Sequence, residues 1–179
     1  MIKKIATGVA AVLGVATVVV LGIAASKPDE MVVERSTMIK APPEKVFALV
    51  NDLHSWDKWS PWEEKDPKMK RTFSGAESGK GAVYTWDGND DVGAGSMTIT
   101  DATVPSNIKI DLNFIKPFQG ENKVNFSFQP EPDGTRVAWV MNGPSPFMAK
   151  VMQVFINCDE MCGKDFEKGL AKLKTAAES

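Results

Sequence analysis

The sequence predicts an α+β protein: a curved antiparallel sheet around a long C-terminal helix, preceded by an N-terminal transmembrane helix. Three observations carry this. An uncharged run from Ile5 to Ala25 follows Lys3 and Lys4. The middle of the chain alternates apolar and polar residues with a period of two. The end of the chain returns to apolar residues at helical spacing. Those two periods distinguish strands from amphipathic helices.

The N-terminal run contains 21 residues, mostly Val, Ala, Leu, Ile and Gly. As a helix rising roughly 1.5 Å per residue it reaches about 31 Å, close to the ~30 Å hydrocarbon core of a bilayer. Lysines on its N-terminal side favour a cytoplasmic start, so everything after Lys27 is expected on the far side. A cleaved signal peptide is the competing reading. Its apolar core is normally only ~7–15 residues, although Ala24-Ala25-Ser26 passes loosely for a cleavage site. A helix buried in a soluble fold is the third reading. The chain thus divides into an anchor over 1–26, a polar linker over 27–30 and a domain over 31–179. The expected location is the cell membrane, single-pass, with the domain periplasmic or extracellular.

A domain of about 150 residues suits one hydrophobic core. Taking Lys3 and Lys4 from the chain's 21 basic side chains leaves 19 against 23 acidic ones. With no basic block, the domain has no electrostatic reason to bind nucleic acid or anionic lipid. The single histidine, His54, restricts metal ligation and acid–base catalysis, and no cofactor is expected.

The domain opens with an extended stretch, Met31 to Ile39, then Ala41-Pro42-Pro43-Glu44, whose prolines end a strand and preset a helical turn. Val46, Phe47, Leu49, Val50 and Leu53 recur at helical spacing, and a second short helix or turn follows near Ser55 to Trp59. From Lys70 to Met141 the pattern is strands. Ile108, Ile110, Leu112 and Phe114 alternate with polar residues, as do Val124, Phe126 and Phe128, then Val137, Trp139 and Met141. One apolar face means a sheet covered on one side. Turns are marked by Asp87-Gly88-Asn89, Pro105-Ser106-Asn107 and Pro132-Asp133-Gly134. The cover must come from a helix starting at Ser145-Pro146 and running to about Ala177, with Gly163 inside it marking a bend or a close contact.

Several segments then resemble one family. These are Ala41-Pro42-Pro43-Glu44-Lys45-Val46-Phe47 after a strand, Trp56-Asp57-Lys58-Trp59-Ser60-Pro61-Trp62, the strand entry Gly79 to Trp86, and Gly134 to Trp139. Together they are similar to START-like (SRPBCC) domains of the polyketide cyclase/dehydrase branch, over about Val32 to Leu173. The resemblance implies a helix-grip fold, in which sheet and helix enclose a cavity that often holds a lipid, sterol or polyketide. That family also contains cyclases, hydrolases and co-chaperone-like modules, so fold alone does not choose an activity.

Under that resemblance the inward face becomes a candidate ligand-binding surface. It comprises Trp86, Met97, Ile110, Leu112, Phe114, Phe126, Phe128 and Trp139 from the sheet, with Met148, Met152 and Phe155 from the helix. A plain hydrophobic core gives the same pattern. Trp59, in the cluster Trp56 to Trp62, belongs to an aromatic gate or to packing, with Trp62 the most packed of the three. Cys158 and Cys162 lie four apart on one helical face, where packing is the simplest role. Glu63, Glu64, Asp66, Asp87, Asp90 and Asp91 fall in stretches that read as solvated loops. No nucleophile–base pair, phosphate loop or metal constellation can be assembled. The expected function is a membrane-anchored domain holding a hydrophobic small molecule or lipid. A cyclase- or hydrolase-type enzyme and a protein-interaction module are the alternatives.

Overall fold

The computed structural model describes residues 2–179, with side chains described from Leu13 onward. The chain forms two compact units. One comprises the residues up to Met31 with Pro144–Cys158; the other comprises Val32–Gly143 with Asp159–Ser179.

In the first unit, helix α1 spans Ile2–Ser26. Among the described residues no helix is long and apolar enough to cross a membrane; residues 5–12, the first part of the expected anchor, lie outside the described side chains. A second, short helix, here labelled α4, spans Phe147–Met152 and packs against α1.

The second unit is built on a seven-stranded curved sheet. Its strands are β1 (Glu30–Ile39), β2 (Lys70–Gly75), β3 (Ala82–Asp87), β4 (Ala94–Thr103), β5 (Asn107–Lys116), β6 (Gly120–Glu131) and β7 (Gly134–Pro144). Their order in the sheet is β1-β7-β6-β5-β4-β3-β2. Consecutive strands from β2 to β7 pair antiparallel, and the three turns read from the sequence are the connections β3–β4, β4–β5 and β6–β7. The period-two stripes are the buried face: Ile108, Ile110 and Leu112 on β5, Val124, Phe126 and Phe128 on β6, and Val137, Trp139 and Met141 on β7. Register puts Phe126 opposite Ile108 on one side and Trp139 on the other.

Helix α2 (Pro43–Asn51) buries Val46, Phe47 and Val50. Leu53–Lys58 forms a 3₁₀ turn capped by Asp52, whose carboxylate accepts the His54 N–H at 2.9 Å, and α3 is the single turn Trp62–Lys65. The C-terminal helix α5 (Cys158–Glu178) turns Phe166, Leu170, Leu173 and Ala177 inward.

The expected continuous helix from Ser145 to Ala177 is instead two helices, broken over residues 153–157. Val154 and Ile156 are β-branched and disfavour continuation, and Met152 O receives the N–H groups of both Phe155 and Ile156 as the turn closes. Asn157 is of the type that favours a helix start, and Asp159 and Glu160 then complement the positive end of α5. Gly163 marks a close contact. A Cβ there would lie 1.9 Å from the Arg35 guanidinium, which crosses the helix to reach Asp159 at 3.1 Å and Glu167 at 2.8 Å.

Leu170 is buried where α5 meets the core, whereas Met161 on the same helix is 57% exposed. Leu170→Ala is expected to lower unfolding free energy by about 2–5 kcal/mol, and Met161→Ala by less than about 0.5 kcal/mol. Denaturant unfolding of the two variants checks this; equal losses would mean α5 is not the cover of the core.

Candidate functional site

The inner face of the second unit is solid in one region and hollow in another. The solid region is aromatic. Trp139 stacks on Phe166 of α5 at 4.0 Å and tilts against Phe126 at 4.9 Å. Trp59 meets both Phe126 and Trp139 edge-on, at 6.0 and 5.7 Å. Its N–H donates to Leu49 O at 3.0 Å, and that of Trp56 to Val50 O at 2.9 Å, so α2 pins both rings. Such edge-to-face pairs add to the area their rings bury.

The hollow region is a cavity of about 320 Å³. Its apolar walls are Trp86, Met97, Leu112, Phe114, Val124 and Met141 from the sheet, closed by Trp139 and Phe166. Trp86 lies flat across β4 because its partner there is Gly95, where a Cβ would sit 2.6 Å from the indole. The Trp86 N–H donates to Val92 O at 3.4 Å, in the loop that forms part of the rim.

Of the sequence-predicted site residues, the structure brings Trp86, Met97, Leu112, Phe114 and Trp139 together around this space. Four others sit elsewhere in the same unit: Ile110, Phe126, Phe128 and Trp59 are buried in the solid core, away from the cavity lining. Met148, Met152 and Phe155, expected on the stripe of one continuous helix, instead belong to the other unit, where they are exposed and outside the cavity lining: the first helix ends at Met152 and α5 starts anew at Cys158. The tryptophan assignment also changes: Trp59 is the fully buried one, while Trp62 is half-buried and lines the cavity with Trp56. Cys158 and Cys162 are half-buried thiols, and Cys162 borders the cavity.

The polar residues of the cavity were missed in the sequence. Glu63, Tyr84, Asp90, Asp91, Lys116 and Asp165 all line it. Glu63 is the most enclosed of the acids whose exposure defines an ion pair, with its side chain only 12% exposed. The single turn of α3 swings it inward, which no periodicity in four residues can announce. It pairs with Arg71 at 3.0 Å and accepts a hydrogen bond from the Tyr84 hydroxyl. Burial raises its pKa above the ordinary 4.5; Arg71 opposes that shift and Asp57 adds to it. Burial, then the neighbouring Glu63 charge, pushes the Tyr84 hydroxyl upward, so it remains a donor. Tyr84 was legible: it alternates with Ala82 and Trp86 on the buried side of β3. Asp165 is held by Lys65 at 2.6 Å.

The family described as polyketide cyclase / dehydrase and lipid transport matches residues 30–178. No curated protein matches the sequence significantly. Among solved structures, a protein of Chromobacterium violaceum is 16% identical with a TM-score of 0.60, covering 86% of this chain and 99% of its own. The Aha1 dimer from Colwellia psychrerythraea is 18% identical with a TM-score of 0.56, covering 83% and 96%. The di-domain ARO/CYC BexL from the BE-7585A biosynthetic pathway is 14% identical with a TM-score of 0.62; the match covers 89% of this chain and 53% of BexL. At these identities the likeness concerns the fold alone.

The raised pKa of Glu63 has a stability consequence of definite sign. The folded state retains a proton that the unfolded chain releases near 4.5, so this group favours folding most below that pH. The advantage is lost as pH rises through the folded value. Glu63→Gln carries no charge at any pH in this range. The variant should therefore gain stability relative to the unsubstituted protein between pH 4.5 and neutrality, read by denaturant unfolding across that range. A difference that does not vary with pH would mean that Glu63 titrates alike in the folded and unfolded chain.

Proposed function

Because the chain belongs to the polyketide cyclase / dehydrase and lipid transport family, within the START-like (SRPBCC) superfamily, we propose that it is a membrane-anchored carrier of a hydrophobic small molecule such as a lipid. The observation that carries this reading is the cavity: about 320 Å³, with walls of aromatic and aliphatic side chains beside a polar group of residues around Glu63 and Tyr84. That volume lies within the usual range for small-ligand sites. Capture is by burial. Apolar surface removed from water contributes ~25 cal/mol per Å², so a ligand burying ~300 Å² gains roughly 7 kcal/mol before association costs. The methionines Met97 and Met141 suit a wall that adapts to varied apolar shapes.

The anchor is supported by the uncharged run from Ile5 to Ala25 and by the lysines before it. The described part of α1 supports it too: Leu13, Val15 and Val18 are exposed apolar side chains with no protein to cover them. A carrier tethered to the bilayer stays close to any hydrophobic molecule released from it. On this reading the domain faces the periplasm or the cell exterior.

A second reading, an enzyme of the cyclase or hydrolase type, draws on Glu63 and Tyr84. A carboxyl with a raised pKa beside a hydroxyl, in an apolar cavity, is the arrangement that serves general acid–base chemistry. The carrier reading is preferred because it requires only the cavity.

Leu112→Trp is expected to fill the space while leaving the domain folded. Affinity for an apolar naphthalene-type fluorophore should fall by about ten-fold, the equivalent of ~1.4 kcal/mol, with a packing cost of about 1–3 kcal/mol in thermal unfolding. Unchanged probe binding beside a destabilised fold would remove the carrier reading. For topology, a reporter fused after Ser179 should be active only outside the cytoplasm. Activity inside would reject export.

A further inference from the structure

Residues 144–158 form an unusual surface. Five apolar side chains, Phe147, Met148, Met152, Phe155 and Ile156, are exposed within ten residues, Met148 and Phe155 to 71% and 72%. Scattered apolar residues on a surface need no explanation, but a contiguous set of this kind marks a contact with something apolar. The segment has one charged side chain, Lys150, and it is turned away from solvent. Lys150 donates to the Asp29 carboxylate at 2.5 Å, and the Ser145 N–H donates to Asp29 O at 2.7 Å. The outward side of the segment therefore carries no charge, although it faces water in isolation.

What covers this surface follows from its neighbour. α4 packs against α1, and the one buried residue among the described positions of α1 is Ala24, close to its C-terminal end. Asp29, which ties down both Ser145 and Lys150, lies three residues beyond the end of α1. The apolar segment is thus held at the level where α1 ends and the polar linker begins. Exposed Leu21 and Ile23 of α1 continue the same apolar character.

We propose that residues 147–156 lie in the bilayer interface beside the point where α1 leaves the membrane, with Phe147, Met148, Phe155 and Ile156 inserted among the acyl chains. The inference rests on the anchor reading of α1 and extends it: the protein holds the membrane at two places, one spanning and one lying on the surface. Interfacial segments of this type bury their apolar face about 5–10 Å below the headgroups. The Asp29–Lys150 pair neutralises the segment's own charge, which would otherwise oppose entry. The partner is the lipid bilayer, recognised through apolar contact and not through headgroup charge, since the segment offers no free cation.

The test uses the full chain with Cys158→Ser and Cys162→Ser, reconstituted in phosphatidylcholine vesicles. An environment-sensitive fluorophore is attached in turn to Met148→Cys, Phe155→Cys and Asp133→Cys, the last on an exposed turn of the other unit. Lipid-borne nitroxides should quench the first two labels about three-fold more strongly than the third, and aqueous iodide should do the reverse. Vesicle-bound protein whose labels at 148 and 155 are quenched by iodide as strongly as the label at 133 would overturn the inference and leave the anchor standing. Protein that leaves the vesicles in alkaline carbonate would reject the anchor, and the surface segment with it.

Discussion

The stack of Trp139 on Phe166 is the contact on which the second unit depends. At 4.0 Å and 9° between ring planes, it joins the middle of β7 to the middle of α5. A Cβ on Gly169 would come within 2.9 Å of the same indole, so helix and sheet meet there as closely as they can. Phe126, Trp59 and Trp62 complete the cluster around Trp139, drawing in β6 and the segment after α2. Rings of this size are rigid and fill space to near-crystalline density, so the core is tight around them. They also cannot spread sideways. Toward Met97, Leu112 and Phe114 the same face is left uncovered by rings from the helix, and the cavity is what remains.

Polarity divides the cavity as packing divides the core. Trp59, Trp56 and Trp86 each spend their N–H on a backbone carbonyl, which leaves those rings apolar toward their surroundings. Glu63 is the exception, an acid carried inward by one helical turn and satisfied by Arg71 and Tyr84. A charge in such a place is disfavoured by desolvation and favoured by its partners, and here desolvation is the larger effect. A ligand that displaced water from the same space would strengthen both effects, since each grows as the local dielectric falls. The same carboxyl therefore sets the cavity's electrostatics under either functional reading.

The first unit obeys a different constraint. Its described residues expose many apolar side chains, and Lys150, the charged residue of the 144–158 segment, is turned away from solvent and paired with Asp29. Under the anchor reading proposed above, the bilayer takes up the apolar side chains that this helix and short segment leave exposed. This is the physical link between a sequence run that fits a bilayer and the exposed residues far from it in sequence.

Much of the fold was legible because period-two alternation on β5, β6 and β7 maps directly onto buried and exposed faces, residue by residue. The prolines before α2 and the Gly- and Asp-containing turns were equally local signals. Part of the candidate lining was legible for the same reason: Trp86, Met97, Leu112, Phe114 and Trp139 lie on inward stripes. What the stripe could not separate was core from cavity. Phe126 and Leu112 have the same sequence signature, yet one is packed by Trp59 and the other faces open space. The helix break after Met152 and the inward turn of Glu63 were also hidden, since each depends on a few residues whose geometry is chosen by contacts distant in the chain. The sequence by itself determined the strand-rich middle of the chain, the face that β5, β6 and β7 bury and the apolar N-terminal run, because these follow from local periodicity and hydropathy. Only the tertiary structure decided where rings meet, where they leave a void and which carboxyl borders it, because burial in three dimensions is a property of neighbours and not of any residue alone.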